Sequence, residues 1–269
     1  MPAEGRQIAP LLAILVCLPL LLYLFAPILS LILRTKPSSY LCCWGALSAL
    51  RISFLTASVA LLIAVLIGTP VAYCLSHYQF RGKDFVDTLI DLPLVLPPVA
   101  GGLALLLLYG QQGLGAWLLN HDLRLTFTLA AVVMAQVFVA SPFYVKQARA
   151  GFEGVPRDLR LASATLGAGP LRTFFKITAP LASHALIAGA VMTWARALGE
   201  FGATLMFAGA FPGRTETMPV AIYMSAASAT PEGLRTSIAL AIFLVVVSFT
   251  VIIIARRLAG RSLAPSPAQ

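Results

Sequence analysis

Six long apolar runs constrain this sequence more than any other feature. A helix needs about 20 consecutive apolar residues to cross the hydrocarbon core of a bilayer. Only 11% of the 269 residues are charged, against roughly 25% in soluble domains. We therefore predict an integral membrane protein with six spans, near residues 8–33, 52–76, 89–109, 125–145, 183–208 and 237–255.

The pattern within the runs favours helices over a β-barrel. Leu, Val, Ile and Ala follow one another with Gly and Pro interruptions, whereas barrel strands alternate apolar and polar residues. The first run is longer than the apolar part of a signal peptide, so we predict that it stays as a membrane anchor. The prediction is an all-α bundle of six transmembrane helices. Residues 1–47 form a peripheral first helix and an external connection, 48–258 the core domain, and 259–269 a disordered cytoplasmic tail.

The net charge of +9 would suggest nucleic acid in a soluble protein, but here it follows the topology. With the amino terminus in the cytoplasm, twelve Lys and Arg residues lie inside and six outside, as the positive-inside rule expects. The six outside are Arg34, Lys36, Arg51, Arg124, Arg214 and Arg235. We therefore predict a multi-pass inner-membrane protein with both termini in the cytoplasm and no nucleic-acid partner.

The four cysteines and three histidines form no catalytic or metal-binding pattern. Cys17 and Cys74 lie in spans, while Cys42 and Cys43 are adjacent in the first external loop, where pairing would be strained. No Cys/His cluster has the spacing of metal ligands. We interpret these residues as structural and predict no metal site.

Prolines and glycines interrupt the third run, DLPLVLPPVAGGLALLLLYG. Pro93, Pro97 and Pro98 each remove a backbone donor and clash with the preceding turn, so this helix should start irregularly or kink. Irregular backbone at membrane depth is tolerated where it is buried in protein or lines a cavity. Two interpretations stay open, a plain turn at the cytoplasmic surface or a pathway lining that continues into Gly101.

The fifth run places small and polar residues on one helical face. Gly189, Thr193, Arg196, Glu200 and Thr204 recur at intervals of three and four. Arg196 and Glu200 can pair, which matters because an isolated charge near the bilayer centre costs roughly 2.5–3.5 kcal/mol. This face can lock two helices together, line a polar path for an anion, or do both.

A basic segment, residues 157–182, separates the fourth and fifth runs. Pro156 suits the first position of a helix and Asp158 the positive end of its dipole. Gly167, followed by a second glycine and Pro170, stops that helix. We therefore predict a short helix and a glycine turn on the cytoplasmic side.

The first short helix should present a small-residue face to a partner. Leu159, Ala162 and Leu166 fall on one side of it. Ala162 and Ser163 are predicted to be exposed, and small side chains let another surface come close. We expect this helix to contact a protein.

A second amphipathic piece follows the glycine turn. Leu171, Phe174, Phe175 and Thr178 lie at i, i+3, i+4 and i+7, and Pro180 is predicted to open the next span. Aromatic and basic residues together suit an interfacial helix on anionic lipid. We expect this piece to contact the membrane.

The stretch LASATLGAGPLRTFFKITAPL resembles the EAA loop in the membrane subunits of binding-protein-dependent ABC importers. Here Leu161 stands in place of the family glutamate and Ser163 in place of the second alanine. The resemblance implies that this loop couples the subunit to an ATPase. The residues concerned are Arg157, Asp158, Leu161, Ala162, Ser163, Gly167, Pro170, Ile177 and Pro180.

Two longer stretches, DLPLVLPPVAGGLALLLLYG and RALGEFGATLMFAGAFPGRTETMPVAIY, resemble the molybdate permease type of that superfamily, with sulfate permeases as near relatives. The resemblance spans roughly residues 48–258. It implies a type I importer fold, a homodimer with one pathway, two cytoplasmic ATPase subunits that bind ATP and Mg²⁺, and an external oxyanion-binding protein. No cofactor is expected on this chain, which lacks a G-x-x-x-x-G-K-[ST] phosphate loop.

From these features we predict a gate formed or flanked by the third and fifth runs. Its residues would be Pro93, Pro97, Pro98, Gly101, Thr193, Arg196, Glu200 and Thr204. An ion-coupled secondary transporter would favour inverted halves with matching broken helices, and an intramembrane enzyme would need a catalytic constellation within the spans. Neither pattern is visible in the sequence. Molybdate, tungstate and sulfate (or thiosulfate) stay open as substrates on the physics of the residues alone.

Overall fold

The computed structural model describes residues 5–34, 44–111 and 113–261. Within these ranges the chain consists of helices and turns without a strand, so the predicted all-α fold is confirmed. Cys42 and Cys43 lie outside the described residues. So does the part of the predicted tail after Arg261, whereas residues 259–261 continue the last helix.

Helices follow one another along the whole described chain. They are α1 (Gly5–Arg34), α2 (Trp44–His77), α3 (Lys83–Val95), α4 (Pro98–Tyr109), α5 (Leu114–Leu119), α6 (Leu129–Glu153), α7 (Arg157–Thr165), α8 (Pro170–Thr173), α9 (Ala179–Leu181), α10 (Ser183–Leu198), α11 (Gly202–Ala208), α12 (Met218–Ala227) and α13 (Pro231–Arg261). A π-helical turn, Phe174–Thr178, joins α8 to α9.

Four helices are long and apolar enough to cross a membrane, namely α1, α2, α6 and α13. Two bent pairs meet the same criterion jointly. One is α3 with α4, bent by 112°, and the other is Pro170–Leu181 with α10, bent by 73°. If each bent pair makes one span, the described chain has six, which identifies a multi-pass membrane protein.

Two predicted spans differ from simple helices. The third is not merely kinked, because α3 ends at Val95 and α4 leaves at a steep angle after Pro97. The fifth was predicted as continuous over residues 183–208, but α10 ends at Leu198 and α11 begins at Gly202. The prediction of an unbroken fifth span is therefore wrong, and the reason lies in the side chain of Glu200, described below.

The fourth span begins later than its apolar run. The Thr128 hydroxyl accepts a hydrogen bond from the backbone N–H of Ala131 at 3.3 Å and so caps the first turn of α6. The helix then continues to Glu153, eight residues past the predicted end at Val145. The carboxyl end of α6 therefore leads directly into the basic segment.

The centre of the bundle is α6, packed between α2 and α10. Alanines make much of this contact, and small residues let helix axes approach closely where no hydrophobic force drives association within lipid. One cluster joins Ala57 and Ala60 of α2, Ala140 of α6, and Ala197 and Leu198 of α10. By contrast, α1 packs against α13 and its described side chains are largely exposed.

Ion pairs connect α3 to the carboxyl-terminal half of α6. Arg149 Nη1 lies 2.6 Å from Asp87 Oδ1, and its Nε lies 2.7 Å from Glu153 Oε1. Lys146 Nζ lies 2.9 Å from Asp91 Oδ2. The Arg149 pair with Asp87 is the less exposed of the two α3 contacts, so solvent screens it less. These pairs fix the helix that precedes the 112° bend.

Candidate functional site

The first candidate site is the contact between α4 and α11, here named the central seam and made by residues 98–102 and 200–204. A Cβ placed on Gly102 would lie 2.6 Å from the Cα of Ala203. A Cβ on Gly202 would lie 2.9 Å from Val99 Cγ2 and 3.3 Å from Pro98 Cβ. The two helices therefore meet backbone to backbone, which only glycine permits.

A buried carboxylate holds the break between α10 and α11. The Glu200 side chain is 1% exposed, and its Oε1 accepts a hydrogen bond from the backbone N–H of Ala203 at 2.9 Å. Its Oε2 lies 2.9 Å from Arg196 Nη1, so the predicted ion pair is confirmed. The carboxylate thus satisfies the amide of Ala203, one of the backbone donors that the start of α11 leaves without a partner inside the helix.

Further polar side chains are buried on α10, α11 and α6. Thr193 and Thr204 are fully buried, and within the described residues their hydroxyls have no hydrogen-bond partner. Gln136 of α6 is also fully buried, and neither its amide nitrogen nor its oxygen has a partner there. Sequence reasoning missed Gln136, although a lone amide inside the apolar fourth run was a visible signal. Such unpaired groups are costly in lipid and point to a polar function.

Among the predicted gate residues, the structure pairs Arg196 with Glu200 and places Pro98 and Gly101 on the α4 side of the central seam. Pro98 and Val99 of α4 meet Gly202, and the ring of Phe138 covers Gly101. Pro93 lies elsewhere, on an apolar cavity between α2, α3 and α6. The fit of Pro93 to the predicted gate is therefore the weakest of the eight residues.

The second candidate site is the basic segment, residues 157–181, here named the coupling segment. Its interior anchor is Phe174, whose ring lies 5.1 Å from that of Tyr73 and 5.9 Å from that of Phe152. These rings belong to a cluster at the carboxyl ends of α2 and α6. The segment is therefore packed onto the bundle, which gives its outer face a defined position.

Three predictions about this segment need correction. Ser163 is buried rather than exposed, because its hydroxyl hydrogen-bonds that of Thr173 at 2.9 Å and so ties α7 to α8. Phe174 packs on protein, so only Phe175 of the aromatic pair is free to face lipid. Pro180 lies inside α9, before the 73° bend, and does not open the span.

The coupling segment exposes several large apolar side chains. Leu159, Leu161, Leu166 and Leu171 are all exposed, with Leu166 reaching 87%. Between α7 and α8, Gly167 adopts a φ of +79°, a left-handed conformation that side chains with a Cβ rarely accept. Large exposed apolar side chains of this kind suit an interaction surface.

The remaining predicted residues of this segment lie where a docking surface could use them. Arg157, Asp158 and Ala162 of α7 are exposed, as is Pro170 at the start of α8. Ile177 is half-buried in the π-helical turn. The exposed leucines therefore have charged neighbours at the beginning of α7.

A helix broken inside a membrane bundle around a buried charge is typical of transport proteins, in which irregular backbone lines or guards a pathway. Sequence comparison makes the class specific. Residues 60–263 match the family described as "Binding-protein-dependent transport system inner membrane component". The chain belongs to this family.

Two relatives cover most of the chain. A probable molybdenum ABC transporter permease protein of Haloferax volcanii is 40% identical over 89% of this chain and 86% of its own length. The molybdate/tungstate transport system permease protein WtpB of Pyrococcus furiosus is 38% identical over 80% of this chain and 79% of its own.

One solved structure has the same fold at low sequence identity. It is a bacterial ABC transporter involved in the import of the acidic polysaccharide alginate, with a TM-score of 0.75 and 13% identity, and it covers 97% of this chain and 98% of its own. The predicted ABC importer transmembrane fold is thus confirmed.

The Glu200 carboxylate is expected to stabilise the broken span measurably. Glu200→Ala should lower the free energy of unfolding by roughly 1.5–3 kcal/mol, the range for hydrogen bonds to charged groups. Glu200→Gln keeps an acceptor for the Ala203 amide and should lose less. Thermal unfolding in detergent measures both. The control is Glu153→Gln, an exposed pair expected to change stability by under about 0.5 kcal/mol; equal losses for Glu200→Ala and this control would refute the assignment.

The central seam should not tolerate a single added methyl group. Gly102→Ala drives a Cβ into the Ala203 backbone and is expected to cost about 1–3 kcal/mol, the usual penalty for overpacking. Gly199→Ala is the matched control, since its Cβ would meet its nearest neighbour at 3.6 Å and its φ is −85°. Thermal midpoints of the two variants should move apart, and a Gly102→Ala protein as stable as Gly199→Ala would contradict the close contact.

Proposed function

We propose that this chain is the permease subunit of an ATP-binding-cassette importer that moves a tetrahedral oxyanion, molybdate in the first place, across the cytoplasmic membrane. The observation that carries the proposal is the identity of 38–40% over at least four fifths of the chain to relatives named for molybdenum or molybdate/tungstate. Tungstate and sulfate (or thiosulfate) share the tetrahedral dianionic shape or its charge and are the alternatives within the same class.

The proposal includes partners that complete the transporter. A second copy of the chain would form the other wall of the pathway, two cytoplasmic ATPase subunits would bind and hydrolyse ATP with Mg²⁺, and an external binding protein would deliver the oxyanion. The absence of a phosphate-loop motif from the sequence supports ATP hydrolysis on a separate subunit. Both termini would lie in the cytoplasm, on the side of the coupling segment.

The coupling segment is the part of the chain that we assign to ATPase docking. Its exposed leucines offer an apolar ridge that a groove on a partner could cover. Phe174 and the Ser163–Thr173 hydrogen bond hold the ridge on the bundle. If a partner displaces this ridge, the displacement would therefore be transmitted to α2 and α6 and would not be absorbed by bending of a free loop. Leu161, where the family pattern has glutamate, lies on the opposite side of α7 from Leu159 and would add a separate apolar contact.

The central seam is the part that we assign to the gate. It joins the bent third span to the broken fifth span, and its buried polar groups lie at the break. Alternating access would then consist of closure of the ATPase pair, displacement of the coupling segment, and opening of the seam between α4 and α11. Small shifts of packed helices of this kind are a common form of conformational change.

The glycine turn of the coupling segment gives a direct test of docking. A β-branched residue at a φ of +79° strains the backbone by roughly 1–3 kcal/mol, so Gly167→Val should reduce oxyanion uptake per ATP hydrolysed by about tenfold. Gly167→Asn is the matched control, because Asn accepts the left-handed region more readily. Both variants should insert into the membrane normally. Uptake by Gly167→Val equal to wild type would remove the coupling assignment.

Reconstitution tests the substrate. The chain, its ATPase and its binding protein in proteoliposomes should take up molybdate when ATP is supplied inside. Parallel assays with tungstate and sulfate rank the alternatives. Uptake of sulfate without molybdate would overturn the substrate assignment, and uptake of none of the three would overturn the proposed function.

A further inference from the structure

A cavity of about 580 Å³ opens at the end of α6 opposite the coupling segment. Its walls are the end of α4, the loop that leads into α6, and the loop between α11 and α12. Among its lining residues are Arg124, Arg214, Gln111, Thr126 and Phe127. A volume of this size is in the range of small-molecule sites.

The charge of this cavity is positive and uncompensated. Arg124 and Arg214 are both exposed, and within the described part of the chain neither guanidinium has a carboxylate oxygen within 4 Å. Asp122 and Glu216 lie close by in sequence but pair with neither. Two arginines that line the same cavity raise the local concentration of anions.

The donors suit an oxyanion in particular. Each guanidinium presents a planar fork of N–H groups that matches the oxygens of carboxylates, phosphates and similar anions. Thr126 and Gln111 also line the cavity and carry neutral donor groups, a hydroxyl and an amide. A tetrahedral dianion can be shared between two forks, whereas a monovalent anion gains less from the second one.

The cavity is attached directly to the central seam. The backbone N–H of Phe127 donates to the carbonyl of Phe207, the second-last residue of α11, at 3.4 Å. The rings of Phe127 and Phe211 meet edge to face with centroids 6.0 Å apart. Leu106 and Gly110, at the end of α4, line the opposite wall. The two helices that form the seam thus both end at this cavity.

We propose that the cavity is a binding site for a tetrahedral dianion at the outer end of the central seam. Arg124 and Arg214 would hold the dianion there before the dianion enters the pathway. The inference rests on the proposed oxyanion import and adds the place at which the permease itself first binds its substrate. Release from a binding protein then transfers the anion between two sites rather than into bulk water.

The test measures molybdate binding by the permease–ATPase complex in nanodiscs without the binding protein, using radiolabelled molybdate at low ionic strength. The wild type should bind molybdate, and Arg124→Gln and Arg214→Gln should each weaken binding by about tenfold, the loss expected for one charge-assisted contact. Lysine at either position should restore part of the affinity through its charge. Arg235→Gln, at the exposed beginning of α13, is the matched control and should bind as the wild type does.

Two further measurements separate the possible failures. If the arginine variants bind molybdate normally but lose affinity for the binding protein, the cavity is a docking surface and the inference is wrong. A wild-type complex that transports molybdate in proteoliposomes but shows no binding in nanodiscs also overturns the inference and leaves the proposed function intact. A complex that transports no oxyanion overturns the function itself. Unchanged thermal midpoints of the variants exclude misfolding as the cause of a loss.

Discussion

The carboxylate of Glu200 is the interaction on which the arrangement of the membrane core depends. Burial of a charge costs several kcal/mol unless it is paired or hydrogen-bonded, and here Oε1 accepts a hydrogen bond from the Ala203 amide while Oε2 has the ion-pair contact with Arg196 but no hydrogen bond. This side chain lets a span end and restart inside the bundle. The restart places α11 against α4, and that contact brings the bent third span to the broken fifth.

Much of the fold follows from the sequence, because apolar length and helical periodicity act locally. The apolar runs, the termination of α7 at Gly167 and the pairing of Arg196 with Glu200 each depend on residues that are close together in the sequence. The break at Gly199 could not be read in the same way. The break depends on the Glu200 carboxylate, which accepts a hydrogen bond from the Ala203 amide in place of a backbone carbonyl. The pattern of apolar residues does not indicate which group accepts a hydrogen bond.

The misplaced residues have a common physical reason. Ser163 and Phe174 were assigned from positions on isolated helices, and both are buried by contacts between elements. The same limit applies to Gln136, whose burial depends on α6 having neighbours on all sides, and to Arg149, which pairs with Asp87 across 62 residues of sequence. Contacts between segments that are distant in the sequence form only in the assembled bundle, so the sequence alone does not predict these parts of the site.

The closeness of Gly102 to Ala203 has a consequence for how the seam can move. Side chains that interlock must be withdrawn from their holes before two helices can slide, and this sets a register with discrete steps. Gly102 has no side chain to interlock with Ala203, so this barrier to sliding is absent at that point of the seam. The register of α4 and α11 therefore depends more on the contacts elsewhere along the two helices, including those of Val99 with Gly202.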